Sequence, residues 1–246
     1  MREKLGWDKV RTMKFVMNGV VKAMGNRIET RTNVAIEKPS KSYSATTTNV
    51  PGEDSFSMYT VTDGVFAESG TALPDGSRQP RRRVDAQPVS PGSPDFFEGI
   101  TDPTVLEFAS AQTITPDPKD PLFLNSDGSP PKQKELTLLT AHRGTDETIE
   151  LFLDPASMEI VAVSLLKSGA KQAELRCIEY KEISPGVRSP VAYDFSMNME
   201  KMLQQLPEDA RKRMPSEVTT RFTHSDVEVN VEIAPETFHF TNKPGQ

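Results

Sequence analysis

The sequence predicts a mainly β protein, a single curved antiparallel sheet forming a half-open barrel with helical lid segments. Three observations lead there. Apolar and polar residues alternate with a period of two along several runs, which dries one face of a strand and wets the other. Turn signals separate these runs at even spacing. One proline-rich interruption, at about 69–133, divides them into two groups.

The first zone covers residues 8–68. Met13, Phe15 and Met17 alternate with Lys14, Val16 and Asn18. The run 27–36 is rich in Thr, Val and Ile and stops at Lys38-Pro39-Ser40-Lys41. Strand-like residues resume at 43–48, and 56–61 follows the turn Pro51-Gly52. Asp63-Gly64 then signals a hairpin before Val65-Phe66.

The second zone holds eleven of the twenty prolines, between Pro74 and Pro131. Proline removes ladder donors, so loop with short inserts is expected here rather than sheet. One insert reads as a helix. Thr101 or Asp102 caps it, Pro103 fits its first turn, and Val105, Leu106 and Ala109 share a face. Apolar residues crowd this otherwise polar stretch: Phe96, Phe97, Ile100, Val105, Leu106 and Phe108. Burying each stabilises by roughly 1.5–3 kcal/mol, and leaving all in water would promote association. A lid over the dry sheet face, with Phe96, Phe97, Leu106 and Phe108 turned inward, meets that need.

The third zone, 134–241, returns to strands at 136–141, 149–153, 160–166 and 173–180. The clearest follows: Val191, Tyr193, Phe195, Met197 and Met199 alternate with Ala192, Asp194, Ser196 and Asn198. A helical insert carries Met202, Leu203 and Leu206 before Pro207. Runs 218–222 and 227–233 come next, and Phe238 and Phe240 flank His239 in a last strand. Nine or ten strands thus fall into one domain, 1–246, with a lid insert at 69–133.

A net charge of −6 argues against a nucleic-acid partner, which needs a basic face to release counterions. The cluster Arg81-Arg82-Arg83 sits among prolines and reads as a solvated loop. No run approaches the ~20 apolar residues of a membrane helix, so no membrane span is expected. Cys177 is the single cysteine, which excludes an internal disulfide, and its apolar surroundings suggest a buried thiol. Residues 1–7 contain no apolar signal core, which leaves a cytosolic protein or a chain whose leader was removed.

Catalytic and metal signatures are missing from the sequence. His142, His224 and His239 never reach metal-ligand spacing, and no phosphate loop, H-E-x-x-H or G-x-S-x-G occurs. A non-enzyme without metal or cofactor is expected. Methionine says more. Met13, Met17, Met58, Met197, Met199 and Met202 sit on dry faces, as in surfaces that accept variable apolar partners, although filling an irregular core would use them equally well. Met13, Phe15, Met17, Phe56, Met58, Tyr193, Phe195 and Met197 are expected to converge on one concave ligand-binding surface.

Four segments in this order resemble the Lol-type periplasmic lipoprotein carriers and their outer-membrane lipoprotein-sorting relatives. They are Ile36-Glu37-Lys38-Pro39-Ser40-Lys41, Thr62-Asp63-Gly64-Val65-Phe66, Leu153-Asp154-Pro155-Ala156 and the tail from Val231 to Phe240. The resemblance implies a half-closed barrel whose apolar concavity is covered by helices and accepts lipoprotein acyl chains or lipid. It implies a periplasmic or otherwise extracytoplasmic address. The stretches 69–133 and 198–216 exceed what a simple carrier needs, and no position matches the family's cavity arginine. Relatives on this scaffold include envelope sensors. The alternative is therefore an interaction or sensor module that meets an envelope protein, its cavity filled by its own helices. An unrelated β-sandwich without ligand is a third reading.

Overall fold

Most runs with strict alternation become strands, and the sheet they build is larger than the sequence suggests. The computed structural model describes residues 1–23, 26–38, 40–52, 54–85, 97, 100, 106–125, 127–204, 208 and 215–241. The first six strands are β1 (Thr12–Ala23), β2 (Asn26–Glu37), β3 (Lys41–Asn49), β4 (Phe56–Thr62), β5 (Phe66–Ala72) and β6 (Arg78–Asp85). Seven more follow: β7 (Glu107–Ile114), β8 (Leu136–Arg143), β9 (Glu147–Leu153), β10 (Ile160–Lys167), β11 (Ala170–Ser184), β12 (Val187–Asn198) and β13 (Glu217–Val229).

All thirteen form one antiparallel sheet in the order β6-β5-β4-β3-β2-β1-β13-β12-β11-β10-β9-β8-β7. The topology is two meanders joined at β1 and β13. Because β6 and β7 are the two edges and do not pair, the sheet is not closed. The connection 86–106 therefore links one edge to the other. Its described residues Phe97, Ile100 and Leu106 are buried in the main core, which defines the inner face of the sheet.

Three expectations are corrected here. The proline-rich zone contains three strands, β5 in part, β6 and β7. Pro80 is tolerated because β6 is an edge strand with a bulge opposite Ser69/Gly70, where a missing donor leaves no ladder partner unpaired. Gly70 is required at that bulge, since a Cβ would lie 2.0 Å from the Gln79 carbonyl oxygen. Arg81-Arg82-Arg83 accordingly belongs to this edge strand and not to a loop.

The helical lid is not confirmed. Residues 107–109 of the expected helix lie in strand β7, and 101–105 fall outside the described residues. A short apolar run fits helix and strand periods equally, and pairing with β8 decides for strand. The one α-helix whose span is described is a single turn, Glu200–Leu203, in the second expected insert, with Leu203 buried; Phe97 and Glu208 are helical single positions, and Leu206 and Pro207 lie outside the description.

The last correction concerns the tail. β13 ends at Val229, and Asn230 takes a left-handed φ of 56°. Residues beyond it cross to the outer face, where Pro235–Phe238 forms a 3-10 turn instead of a strand. Ile233 and Phe238 there cover Tyr59, Val61 and Ala35. Glu68, 1% exposed, accepts hydrogen bonds on Oε1 from the Tyr59 hydroxyl (2.9 Å) and the Thr241 hydroxyl (2.6 Å). The Arg78 guanidinium stacks 4.4 Å over Tyr43 and donates to the carbonyls of Thr237 and His239. Arg78→Ala is expected to cost about 1–3 kcal/mol and to speed amide exchange at Thr237 to Thr241. Unchanged exchange would show that apolar packing alone holds the tail.

Candidate ligand-binding face

Lateral pairing fixes which side chains share the inner face, because directly opposed residues point the same way. One row runs Phe108, Ala141, Ile149, Leu165, Ala173, Met197, Val218 from β7 to β13. Another runs Tyr193, Phe222, Gly19, Thr30, Thr48, Phe56. A third is His224, Met17, Thr32, Thr46, Met58.

The register thus places all eight ligand-face candidates on one side of the sheet. Phe15, Met17, Tyr193 and Phe195 are buried in the main core, and Met13 packs against it partly buried. Phe56, Met58 and Met197 stay exposed, joined on the same face by Phe108. These four are among only six large apolar side chains exposed in the described residues, the others being Val65 and Phe66.

Of the lid candidates, Phe97 and Leu106 are buried on the inner face, and the Phe97 ring meets Tyr193 edge-on at 5.0 Å. Phe108 covers nothing; it is a strand residue at the β7 edge. Phe96 lies outside the described residues.

The chemistry of the face changes beyond β2. There the inner positions are Ser42, Ser44, Thr46 and Thr48 on β3, Thr60 and Thr62 beside Phe56 and Met58 on β4, and Ala67, Ser69 and Thr71 on β5. The face is apolar over β8–β12, β1 and β2 and hydroxyl-lined over β3–β5, with Phe56 and Met58 standing out of the polar part.

At the end where β1 and β2 meet the β11–β12 turn, the N-terminal segment closes the core. Trp7 is buried, and its indole Nε1 donates to the Arg188 carbonyl at 2.6 Å. Beside it lies an apolar cavity of about 50 Å³, lined by Trp7, Phe15, Ile36, Phe97, Val187 and His224, among others. Ligand pockets commonly reach 300–1,000 Å³. An aliphatic chain therefore enters only if a lining group such as Phe97 moves.

His224 was not singled out by motif spacing, yet alternation with Phe222 in β13 already assigns it to the inner face. Its ring lies 4.6 Å from that of Phe15 and 5.5 Å from that of Tyr193. Nε2 is buried and has no hydrogen-bond partner, which costs about 1–3 kcal/mol. Burial pushes the imidazole pKa down to about 4. The neighbouring Tyr193 hydroxyl donates only to the Met17 sulfur at 3.3 Å, a weak acceptor, and burial raises its pKa.

Elsewhere several polar groups satisfy one another. On the outer face Asp194 is bridged by Arg176 (2.6 Å) and Arg221 (2.8 Å). Burial opposes its charge, but these bonds hold its carboxyl below the usual range. A polar cleft of about 330 Å³ lies by residues 122–133, where Arg176 donates to the Leu124 carbonyl. Burial pushes the Cys177 thiol up, which keeps it protonated at neutral pH. Among the described residues no three His, Cys, Asp or Glu side chains come together to hold a metal ion. None of the described helices is long and apolar enough to cross a membrane.

No family model matches the sequence, and no curated protein does. Solved structures do match the fold. A DUF1329 family protein from Desulfovibrio piger aligns with a TM-score of 0.56 at 10% identity, covering 96% of this chain and 93% of that one. A putative outer membrane lipoprotein-sorting protein domain from Vibrio parahaemolyticus aligns with a TM-score of 0.54 at 12% identity, covering 96% and 94%. The fold of this chain thus resembles that of outer membrane lipoprotein-sorting domains.

Proposed function

We propose that the chain is a non-catalytic, extracytoplasmic protein that binds lipoprotein acyl chains or lipid on its inner face, for transport or sorting. The observation that carries this is the placement of Phe56, Met58, Phe108 and Met197, four of the six exposed large apolar side chains, on the face that also forms the core. Large exposed apolar groups gathered on one side mark an interaction surface. The structural likeness to a lipoprotein-sorting domain points the same way. Phe97 and Leu106 are buried on this face, so a ligand binds by displacing their side chains.

A second reading rests on the small size of the cavity. With Phe97, Ile100 and Leu106 as permanent filling, the same scaffold serves as a sensor or interaction module for an envelope protein. Native mass spectrometry of protein purified from membranes of its own source separates the two. Lipid adducts that dissociate on collisional activation are expected; a mass equal to that of the bare chain, unchanged by added lipid, favours the module.

A further inference from the structure

Within the ligand-binding reading, on which this step rests, the head group of the ligand has a place. We infer that His224 anchors a neutral single-chain lipid with a hydroxyl head, its tail lying along Phe15, Ile36 and Val187 after Phe97 swings aside. Three observations meet at this point. Nε2 of His224 is buried without a partner in a structure whose other buried polar groups are largely satisfied. His224 lines an apolar cavity that already has room for a few atoms. The Tyr193 ring meets the same imidazole edge-on, and its hydroxyl is held only by a thioether.

A hydroxyl suits His224 because it both donates and accepts, so it satisfies either imidazole tautomer. A carboxylate suits it less. His224 is neutral at neutral pH, and the walls around it are apolar. Lys38 is the charged side chain at the cavity, and its ammonium donates to the Trp7 carbonyl at 2.8 Å. An ionised head would lose its hydration, and the Lys38 ammonium would have to leave the Trp7 carbonyl to pair with it.

Displacement of Nile red by 1-dodecanol, monolaurin and dodecanoate tests the assignment. His224→Leu is expected to weaken both hydroxyl lipids about tenfold, the worth of one buried hydrogen bond, and so to remove most of their advantage over dodecanoate. In the unmodified chain, saturating 1-dodecanol should shift the His224 Nε2 nitrogen resonance, a readout that needs no variant to fold. Equal affinity for 1-dodecanol in both proteins, an unmoved resonance, or dodecanoate binding at pH 8 as tightly as 1-dodecanol would each overturn the anchor and leave apolar binding intact. If the wild-type chain binds neither Nile red nor any of the lipids, the ligand-binding reading fails and the anchor with it.

Discussion

Phe97→Asp combined with Leu106→Asp is expected to lower stability by about 3–6 kcal/mol and to raise Nile red binding, while the β circular-dichroism signature persists. Both side chains are buried on the inner face, and each contributes roughly 1.5–3 kcal/mol by leaving water. A carboxylate there would be desolvated against Tyr193 and Phe195, so the segment detaches instead of staying buried. Detachment caps the loss, because the thirteen-strand ladder remains paired. It also uncovers the apolar half of the inner face, which the dye reports. Val65→Asp is the matched control. Val65 is 64% exposed in the turn before β5, so its replacement should change stability by less than about 1 kcal/mol and leave dye binding unaltered. Unchanged dye binding in the double variant would show that Phe97 and Leu106 cover nothing.

Acidification should weaken the fold between pH 6.5 and about 4 through His224. An unfolded histidine takes up its proton near pH 6.5, whereas burial holds the folded imidazole at about 4. As pH falls through that window the unfolded state binds more protons, so stability is complete above 6.5 and declines until the folded imidazole also protonates. The gap corresponds to about 3 kcal/mol. The groups packed on the ring do not interfere. Phe15 is not ionisable, and Tyr193 stays neutral because burial raises its pKa. Asp194, on the opposite face, has a lowered pKa, so its contribution is lost at lower pH as the carboxyl protonates. Urea midpoints across pH should therefore lose their slope between 6.5 and 4 in His224→Phe and keep the drop at lower pH. The same slope in both proteins would assign the acid sensitivity elsewhere.

Much of the sheet was legible because alternation is strict where one face is buried. Tyr193, Phe195 and Met197 against Asp194 and Ser196 leave one orientation for β12, and the register agrees. β6 was hidden by Pro80, which a central strand excludes and an edge with a bulge admits. The tail was misread because Val231 to Phe240 keeps a strand-like pattern; the positive φ of Asn230 turns the chain to the other face, and such a turn leaves no periodic trace. The site was legible in its apolar part for the same reason as the sheet. Phe97 and Leu106 stood out as apolar residues in polar surroundings, whereas Phe108 needed its pairing with Ala141 to be placed. His224 escaped notice because metal and nucleophile spacings were the wrong test for a residue whose role comes from its row, beside Met17 and Thr32. The hydroxyl-lined half was invisible as a site, since Ser and Thr on a strand read as an ordinary wet face.

Photolabelling by a twelve-carbon fatty alcohol carrying a diazirine at its tail tests most directly whether the inner face takes an apolar ligand. Label is expected in peptides bearing Met17, Phe97, His224 or Met197, and excess 1-dodecanol should suppress it. Label confined to the outer-face clusters around Tyr59 or Phe152, or label that 1-dodecanol leaves untouched, would contradict the account.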